Sequence, residues 1–387
     1  MRISLAERTK EIEASRIRAM FKLVQGIPNL ISLGIGEPDY DTPKHIIDAA
    51  SRAMYEGYTH YSPSVGEPFL LEAIADKARK KNNIPAKPEE VIVTIGGQEA
   101  LTLSMLSTIN PGDEVIIADP SFFPYDPVIR FAGGVPVRVP VREENGFRLL
   151  PADVAANITP RTRAILLNTP ANPTGSVMTS QELEGIAELA QKHNLVIMSD
   201  EVYEEFIYTG KHISIASLDG MAERTFTLNS FSKTYAMTGW RIGYIIAPQP
   251  AIEAMTRLHG TYLTNVAAFI QKGALAALTG PNEPLQEMIE SYSRRRRLIV
   301  DGLNAIPGIT CREPEGAFYA FPNIKALGKP SFDIAVDFIQ KAGVLAIPGT
   351  AFGACGEGYL RMSYATAEDK IREAMERLKA LVEKEYV

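Results

Sequence analysis

Ser230-Phe231-Ser232-Lys233-Thr234, followed closely by Trp240-Arg241-Ile242-Gly243, is the stretch on which the reading of this chain turns. The run before it, Thr225-Phe226-Thr227-Leu228, is short, apolar and β-prone. It predicts a buried strand whose carboxyl end delivers a lysine set between two small hydroxyl residues. Such a lysine suits Schiff-base chemistry, because its ammonium loses a proton readily when burial or a cationic neighbour lowers its pKa, and the free amine condenses with an aldehyde. Arg241 is a candidate for that neighbour. A lysine taken alone is most often a solvated surface charge, so its surroundings must decide.

Working outward, similar apolar runs recur between about residues 45 and 280 and alternate with helical patterns: Val91–Thr94, Glu114–Ile117, Ala164–Leu167, Leu195–Met198 and Gly243–Ile246. The alternation predicts βαβ units and a mostly parallel sheet covered by helices, an α/β fold. Continuous rather than alternating apolarity suits strands buried on both faces. Special residues gather after these runs: Gly96-Gly97-Gln98, Phe122, Asn172-Pro173-Thr174-Gly175, Asp200 with Tyr203, and Ser230 with Lys233. Ligands bind at that edge of open α/β sheets, so these scattered residues are expected to converge on one crevice. From about 285 the texture changes to long helical stretches, Glu283 to Asn304 and Glu368 to Lys384, around short strands near Ala317–Ala320 and Tyr359–Met362. The expected organisation is a large α/β domain over 45–280 and a smaller α+β domain formed by 281–387 with 1–44, whose helical segment Leu5 to Val24 is too short to stand alone.

Composition narrows the function. A length of 387 residues leaves room for two or three domains and an enclosed cofactor. Hydrophobic content of 45% with 22% charged residues matches a globular protein rather than a disordered or membrane one. A net charge of −6 and a pI near 5.6 disfavour nucleic acid and anionic membranes, leaving a small molecule as the expected partner. Cys311 and Cys355, the only cysteines, give neither a disulfide framework nor metal-ligand spacing, which favours a reducing, cytoplasmic setting. The opening residues carry Arg2, Glu7, Arg8, Lys10, Glu11 and Glu13 without an apolar core, and no later run is long enough to span a bilayer.

Several residues around the crevice have a chemical reading beside a plain one. Gly96-Gly97-Gln98 at a helix start exposes backbone N–H groups that favour phosphate, although Gly-Gly also makes ordinary turns. Ser230 and Arg241 would complete a phosphate cup, while a surface salt bridge is the other reading of Arg241. Asp200, at the end of what should be a central strand, needs a partner if buried; a protonated pyridine nitrogen would serve, and so would a role as helix N-cap. Asn172 to Gly175 reads as a tight turn or as an amide aimed at a cofactor oxygen, to which Tyr203 could also donate. Phe122 would cover a ring face or simply fill the core. Arg361, a lone cation in Tyr359-Leu360-Arg361-Met362-Ser363, is expected to meet a carboxylate, from the protein or from a substrate. Arg294 to Arg297, beside Glu287 and Glu290, reads as a solvated helix face.

Together these residues resemble the class I and II aminotransferases, fold type I enzymes of pyridoxal 5'-phosphate, over essentially the whole chain. The resemblance rests on Ser32-Leu33-Gly34-Ile35-Gly36-Glu37-Pro38-Asp39, Tyr61 with Pro63 and Gly66, the Gly97 loop, Asn172 to Gly175, Asp200 with Tyr203, Ser230 to Lys233, Arg241 and Arg361. It implies that Lys233 joins the cofactor as a Schiff base and later shuttles the substrate α-proton, and that Asp200 holds the pyridinium. It implies further that Asn172 and Tyr203 contact the phenolic oxygen, Phe122 stacks on the ring, and Gly97, Gln98, Ser230 and Arg241 hold the phosphate. Tyr61 would reach the phosphate from the other subunit of a homodimer. Arg361, helped by Asn172, would bind the substrate α-carboxylate beneath a loop containing Gly36.

The implied activity is transfer of an amino group from an L-amino acid, aromatic or aspartate, to a 2-oxo acid such as 2-oxoglutarate by a ping-pong cycle. One departure bears on the donor. The stretch Leu258-His259-Gly260-Thr261-Tyr262-Leu263-Thr264-Asn265 lacks the arginine with which the best-known aspartate enzymes grip a side-chain carboxylate from the partner chain. The pattern is most similar to the aromatic and broad-specificity subgroup, and Tyr262 and Tyr319 are candidates for an apolar side-chain pocket. A lyase or synthase of the same fold and a non-catalytic cofactor sensor are the alternatives.

Overall fold

The computed structural model describes residues 20, 23, 24 and 26–386. The helix expected from Leu5 to Val24 falls almost entirely outside the described residues. The central sheet has seven strands: β1 (Val91–Thr94), β2 (Glu114–Asp119), β3 (Val135–Pro140), β4 (Thr162–Asn168), β5 (Val196–Asp200), β6 (Thr225–Ser230) and β7 (Gly243–Ile246). Their order is β1-β7-β6-β5-β4-β2-β3, which puts β5 at the centre. Six strands run parallel, and β7 is antiparallel to both β1 and β6. That reversal is a finding beyond the simple alternation read from sequence. The linker from β6 to β7 is about as long as the shortest parallel crossover, but it holds only one helical turn and a 3₁₀ turn where a crossover needs a covering helix.

The continuously apolar strands serve two cores at once. Ala164, Leu166 and Met198 enter one cluster with Leu103, Phe226 and Ile245, while Ile165, Leu167 and Ile197 enter the cluster on the opposite face with Leu183 and Ile186. This is the period-two splitting of a doubly covered sheet, with each fully buried Leu or Ile stabilising by about 1.5–3 kcal/mol. Strand β3 went unread because Pro136 and Pro140 break the apolar pattern; it lies at the sheet edge, where a missing N–H is tolerated. Helix Ser180–His193 shows how local signals close each crossover. Thr179 and Glu182 form a reciprocal capping box at its start, and Asn194 ends it at φ 51°.

A further core gathers Ile31, Leu33, Leu303, Phe318, Leu345 and Leu378, drawing on helices Glu283–Asn304 and Glu368–Glu385. Two small sheets accompany it: Ile31–Ser32 parallel to Val344–Leu345, and Leu360–Ser363 antiparallel to both Tyr319–Ala320 and Ile347–Pro348. The arginine run requires a correction. Arg294 and Arg297 are exposed, but Arg295 and Arg296 are buried. Arg295 pairs with Asp39 at 2.8 Å, and Arg296 bonds the Pro314 carbonyl at 2.7 Å and lies over the Tyr208 ring. Helical periodicity turns two of four consecutive residues inward, and neither acceptor is near in sequence. No helix among the described residues is long and apolar enough to cross a membrane.

Candidate active site

Topology brings the expected residues to one edge. Parallel β4, β5 and β6 end there with Asn168, Asp200 and Ser230, and antiparallel β7 begins there, so Arg241 arrives from its amino end. Helix α1 (Gly96–Thr108) starts at the end of β1, and the one-turn helix α2 (Phe231–Thr234) starts at the end of β6. Between them lies a cavity of about 360 Å³, within the range of small-molecule sites. Gly36, Gly97, Gln98, Phe122, Asn172, Asp200, Tyr203, Ser230, Lys233, Arg241 and Arg361 all line it. Tyr61 does not; its side chain is on the surface, 88% exposed.

Lys233 points its amine at the Gly36 carbonyl, 2.7 Å away. Burial draws its pKa down to about 8, and Arg361 and Arg241 add to the fall while Glu37 and Asp200 oppose it. Arg241 is therefore one such cationic neighbour, but burial is the larger cause. Asp200 is buried, and burial lifts its pKa to about 6. Its Oδ2 accepts from the Tyr125 hydroxyl at 2.7 Å, and its Oδ1 from the Val202 amide at 3.3 Å. The Val202 bond is cap-like, but residues 202–205 form turns rather than a helix, so the N-cap reading of Asp200 fails while its place on the cavity wall stands.

Arg361 meets no carboxylate among the described residues. Nη2 bonds the Gly34 carbonyl at 2.5 Å and Nη1 reaches Asn172 Oδ1 at 3.4 Å, while Nε has no partner. Tyr319 and Phe352 flank the guanidinium, and burial lowers its pKa. Tyr203 and Tyr319 share a hydroxyl–hydroxyl bond of 2.7 Å. Gly36 has no room for a side chain, since a Cβ there would lie 2.5 Å from the Tyr319 hydroxyl. Gly96, at φ +74°, is likewise pressed by Arg241, whose Nη2 would be 2.8 Å from an added Cβ. Ser230 Oγ accepts from the Ser232 amide at 3.1 Å, and Phe122 packs edge-on to Tyr125.

The donor set suits pyridoxal 5'-phosphate: a carboxylate for a ring nitrogen, an amine for an aldehyde, and helix-start amides with a hydroxyl and a guanidinium for a phosphate. The partnerless Nε of buried Arg361 suits a carboxylate ligand. Sequence reasoning missed Tyr125 and Asn168. Tyr125 follows Phe122 by one helical turn, a spacing that carries no message until β5 is known to lie alongside.

Sheet, edge and donor set together define a fold type I pyridoxal-phosphate enzyme. The model of the family "Aminotransferase class I and II" matches residues 28–378, and the chain belongs to that family. It is 47% identical to aromatic-amino-acid aminotransferase 2 of Thermococcus litoralis over the whole of both chains. It is 46% identical to an aspartate aminotransferase of Pyrococcus abyssi over 98% of each chain. An aromatic aminotransferase structure from Pyrococcus horikoshii superposes with a TM-score of 0.91 at 44% identity, covering 94% of this chain and 99% of the other. The protein is a pyridoxal-phosphate-dependent aminotransferase acting on amino acid and 2-oxo acid substrates.

Proposed function

We propose that this aminotransferase prefers aromatic L-amino acids as donors, accepts aspartate less well, and passes the amino group to 2-oxoglutarate in a ping-pong cycle. The observation that carries the preference is the cavity wall. Its cations are Lys233, Arg241 and Arg361; the apolar part comprises Ile35, Leu101, Phe122, Phe123, Val202 and the Tyr319 ring. The cofactor's aldehyde and phosphate and the substrate's α-carboxylate engage Lys233, Arg241 and Arg361 respectively, leaving no cation among the lining residues for a donor's second carboxylate. An aromatic side chain instead gains about 25 cal/mol for each Å² it buries there.

In this reading Gly97, Gln98, Ser230 and Arg241 hold the cofactor phosphate, Asp200 its ring nitrogen, Asn172 and Tyr203 its phenolic oxygen, and Phe122 its ring face. Pyridoxal 5'-phosphate, when bound, supplies an aldehyde that takes up the amino group and a ring that draws off electron density. Arg361, with Asn172, orients the substrate by its α-carboxylate beneath the segment containing Gly36. Lys233 moves the proton at the substrate α-carbon. A pKa near 8 makes a substantial share of its amine neutral at mildly alkaline pH, and its tether supplies the proximity that proton transfer requires.

The same proposal takes residues 45–280 as the cofactor-binding domain and 281–387 with the preceding 44 residues as the smaller one. It also takes the protein to be a cytoplasmic homodimer in which Tyr61 reaches the partner's phosphate site. Support for the dimer comes from exposed Tyr55, Tyr61 and Tyr262, large apolar surfaces for a monomer to leave in water. Ser62 and Asn265 tie the Tyr61 segment to the end of the Tyr262 helix at 3.0 Å.

The donor reading is tested by the visible spectrum of the purified protein with tyrosine, phenylalanine, aspartate or alanine added separately, followed by kcat/KM for each. The cofactor band should convert with the aromatic donors, with kcat/KM at least about tenfold above aspartate, a difference of about 1.4 kcal/mol. Equal or better use of aspartate overturns the preference.

A further inference from the structure

Behind the phosphate cup stands a buried group that the reaction itself does not use. Glu99, in the first turn of α1, is only 8% exposed. Its Oε2 accepts the backbone amide of Ile95 at 2.5 Å. Its Oε1 accepts the hydroxyl of Tyr262 at 3.0 Å and lies 2.8 Å from Nδ1 of His259, a fully buried ring. Both anchors belong to the helix Gln249–Tyr262. A carboxylate here is electrostatically odd, because a phosphate dianion is expected at the amides of Gly97 and Gln98 on the same helix end. Geometry offers the reason to keep it. Ile95 precedes Gly96, whose positive φ and close approach to Arg241 leave the turn little freedom to shift.

We propose that Glu99 is a positioning residue for the cofactor phosphate. Clamped by Tyr262 and flanked by His259, it takes up the Ile95 amide and so fixes the turn that aims the Gly97 and Gln98 amides and seats Arg241. Glu99 itself does not touch the phosphate. The inference rests on the reading of Gly97, Gln98, Ser230 and Arg241 as the phosphate cup.

The test compares pyridoxal 5'-phosphate with pyridoxal, which lacks the phosphate, by equilibrium titration of the full-length apoprotein. In wild type the phosphorylated ligand should bind far more tightly. Glu99→Ala should weaken pyridoxal 5'-phosphate about tenfold, as loss of a charge-assisted bond would, and leave pyridoxal within about twofold. Glu99→Gln keeps an acceptor for the Ile95 amide and removes a negative charge beside the cup, so it should bind as tightly as wild type or tighter. Tyr262→Phe, at a half-exposed position less prone to misfold, should lose about threefold, again only for the phosphorylated ligand. Equal losses for both ligands, or a Glu99→Gln variant as weak as Glu99→Ala, would overturn the positioning role. A wild type that binds both ligands equally would instead overturn the cup.

Discussion

Two buried charged clusters flank the carboxyl ends of β5 and β6, and they treat hydrogen bonds in opposite ways. In the cavity, Lys233 has a single bond, to Gly36, and Arg361 keeps one nitrogen unpartnered. On the other side, Lys77 reaches from helix Pro68–Lys81 to Glu204 and the Tyr244 hydroxyl. Glu204 also accepts from Asn229 at 2.7 Å and Asn82 at 2.6 Å. Neighbouring Glu201 accepts from Ser214 at 2.7 Å and Ser199 at 2.9 Å, and pairs with His212 at 2.9 Å. Glu201, Glu204 and His212 come close enough to hold a metal ion, but all four carboxylate oxygens and His212 Nε2 already bond protein groups, while His212 Nδ1 has no partner among the described residues. Saturated charges hold strand ends in place; unsaturated ones keep bonding capacity for a ligand.

The comparison breaks most visibly at Lys233. Lys233→Ala should lower turnover by about 10⁴-fold with little loss of stability, since a buried amine with one bond leaves with its charge. Near-normal activity in a steady-state assay would remove Lys233 from the mechanism. Arg361→Leu should lower kcat/KM by about 10²- to 10³-fold, as truncation of a buried charge partner does, while thermal stability holds or rises. Calorimetry beside kinetics tests both halves.

Lys77→Met sharpens the contrast from the other side. Burial opposes the Lys77 charge, but Glu204 outweighs it and holds the ammonium well above its ordinary range. Burial likewise opposes the Glu204 charge, and Lys77 and His212 overcome it, holding the carboxyl well below its usual range. Removing Lys77 strands that carboxylate and should destabilise the fold by about 3–5 kcal/mol in denaturant titration, with kcat changed less than about threefold where the protein stays folded. The folded pKa of Glu204 is depressed, so its stabilisation is present above the unfolded value of 4.5 and lost as pH falls through the lower folded value. The wild type should therefore lose stability on acidification in that window.

Legibility in the sequence followed the same division. Lys233, Asp200 and Arg361 stood out because a lone ionisable residue at the end of, or within, an apolar run demands an explanation. The parallel core was readable because Leu166 and Ile165 repeat one message on two faces. What escaped needed distance information: β7 reverses because its linker holds no covering helix, Arg295 finds Asp39 across 256 positions, and Tyr125 meets Asp200 across 75. Residue type and spacing encode which groups are exceptional. Only the assembled sheet determines which of them meet.

Tyr125 gives the smallest effect and the finest test of the comparison, because its hydroxyl bonds the Asp200 carboxylate inside the open cluster at 2.7 Å. The groups facing the Asp200 carboxylate are Tyr125, the Val202 amide, Glu201, Lys233 and Tyr203. Burial raises its pKa to about 6, and the Tyr125 bond is the largest influence pulling it back. Tyr125→Phe removes that bond without emptying the space, so the Asp200 pKa should climb above 6. Cofactor binding through a pyridinium needs Asp200 ionised, so the pH below which affinity falls should move upward by about one unit, equivalent to about 1.4 kcal/mol. Titrating apoprotein with cofactor between pH 5 and 8, bracketing that value, measures it. A uniform loss of affinity at every pH would make Tyr125 mere packing, and an unmoved profile would mean that Asp200 is held in its charged form by its other neighbours.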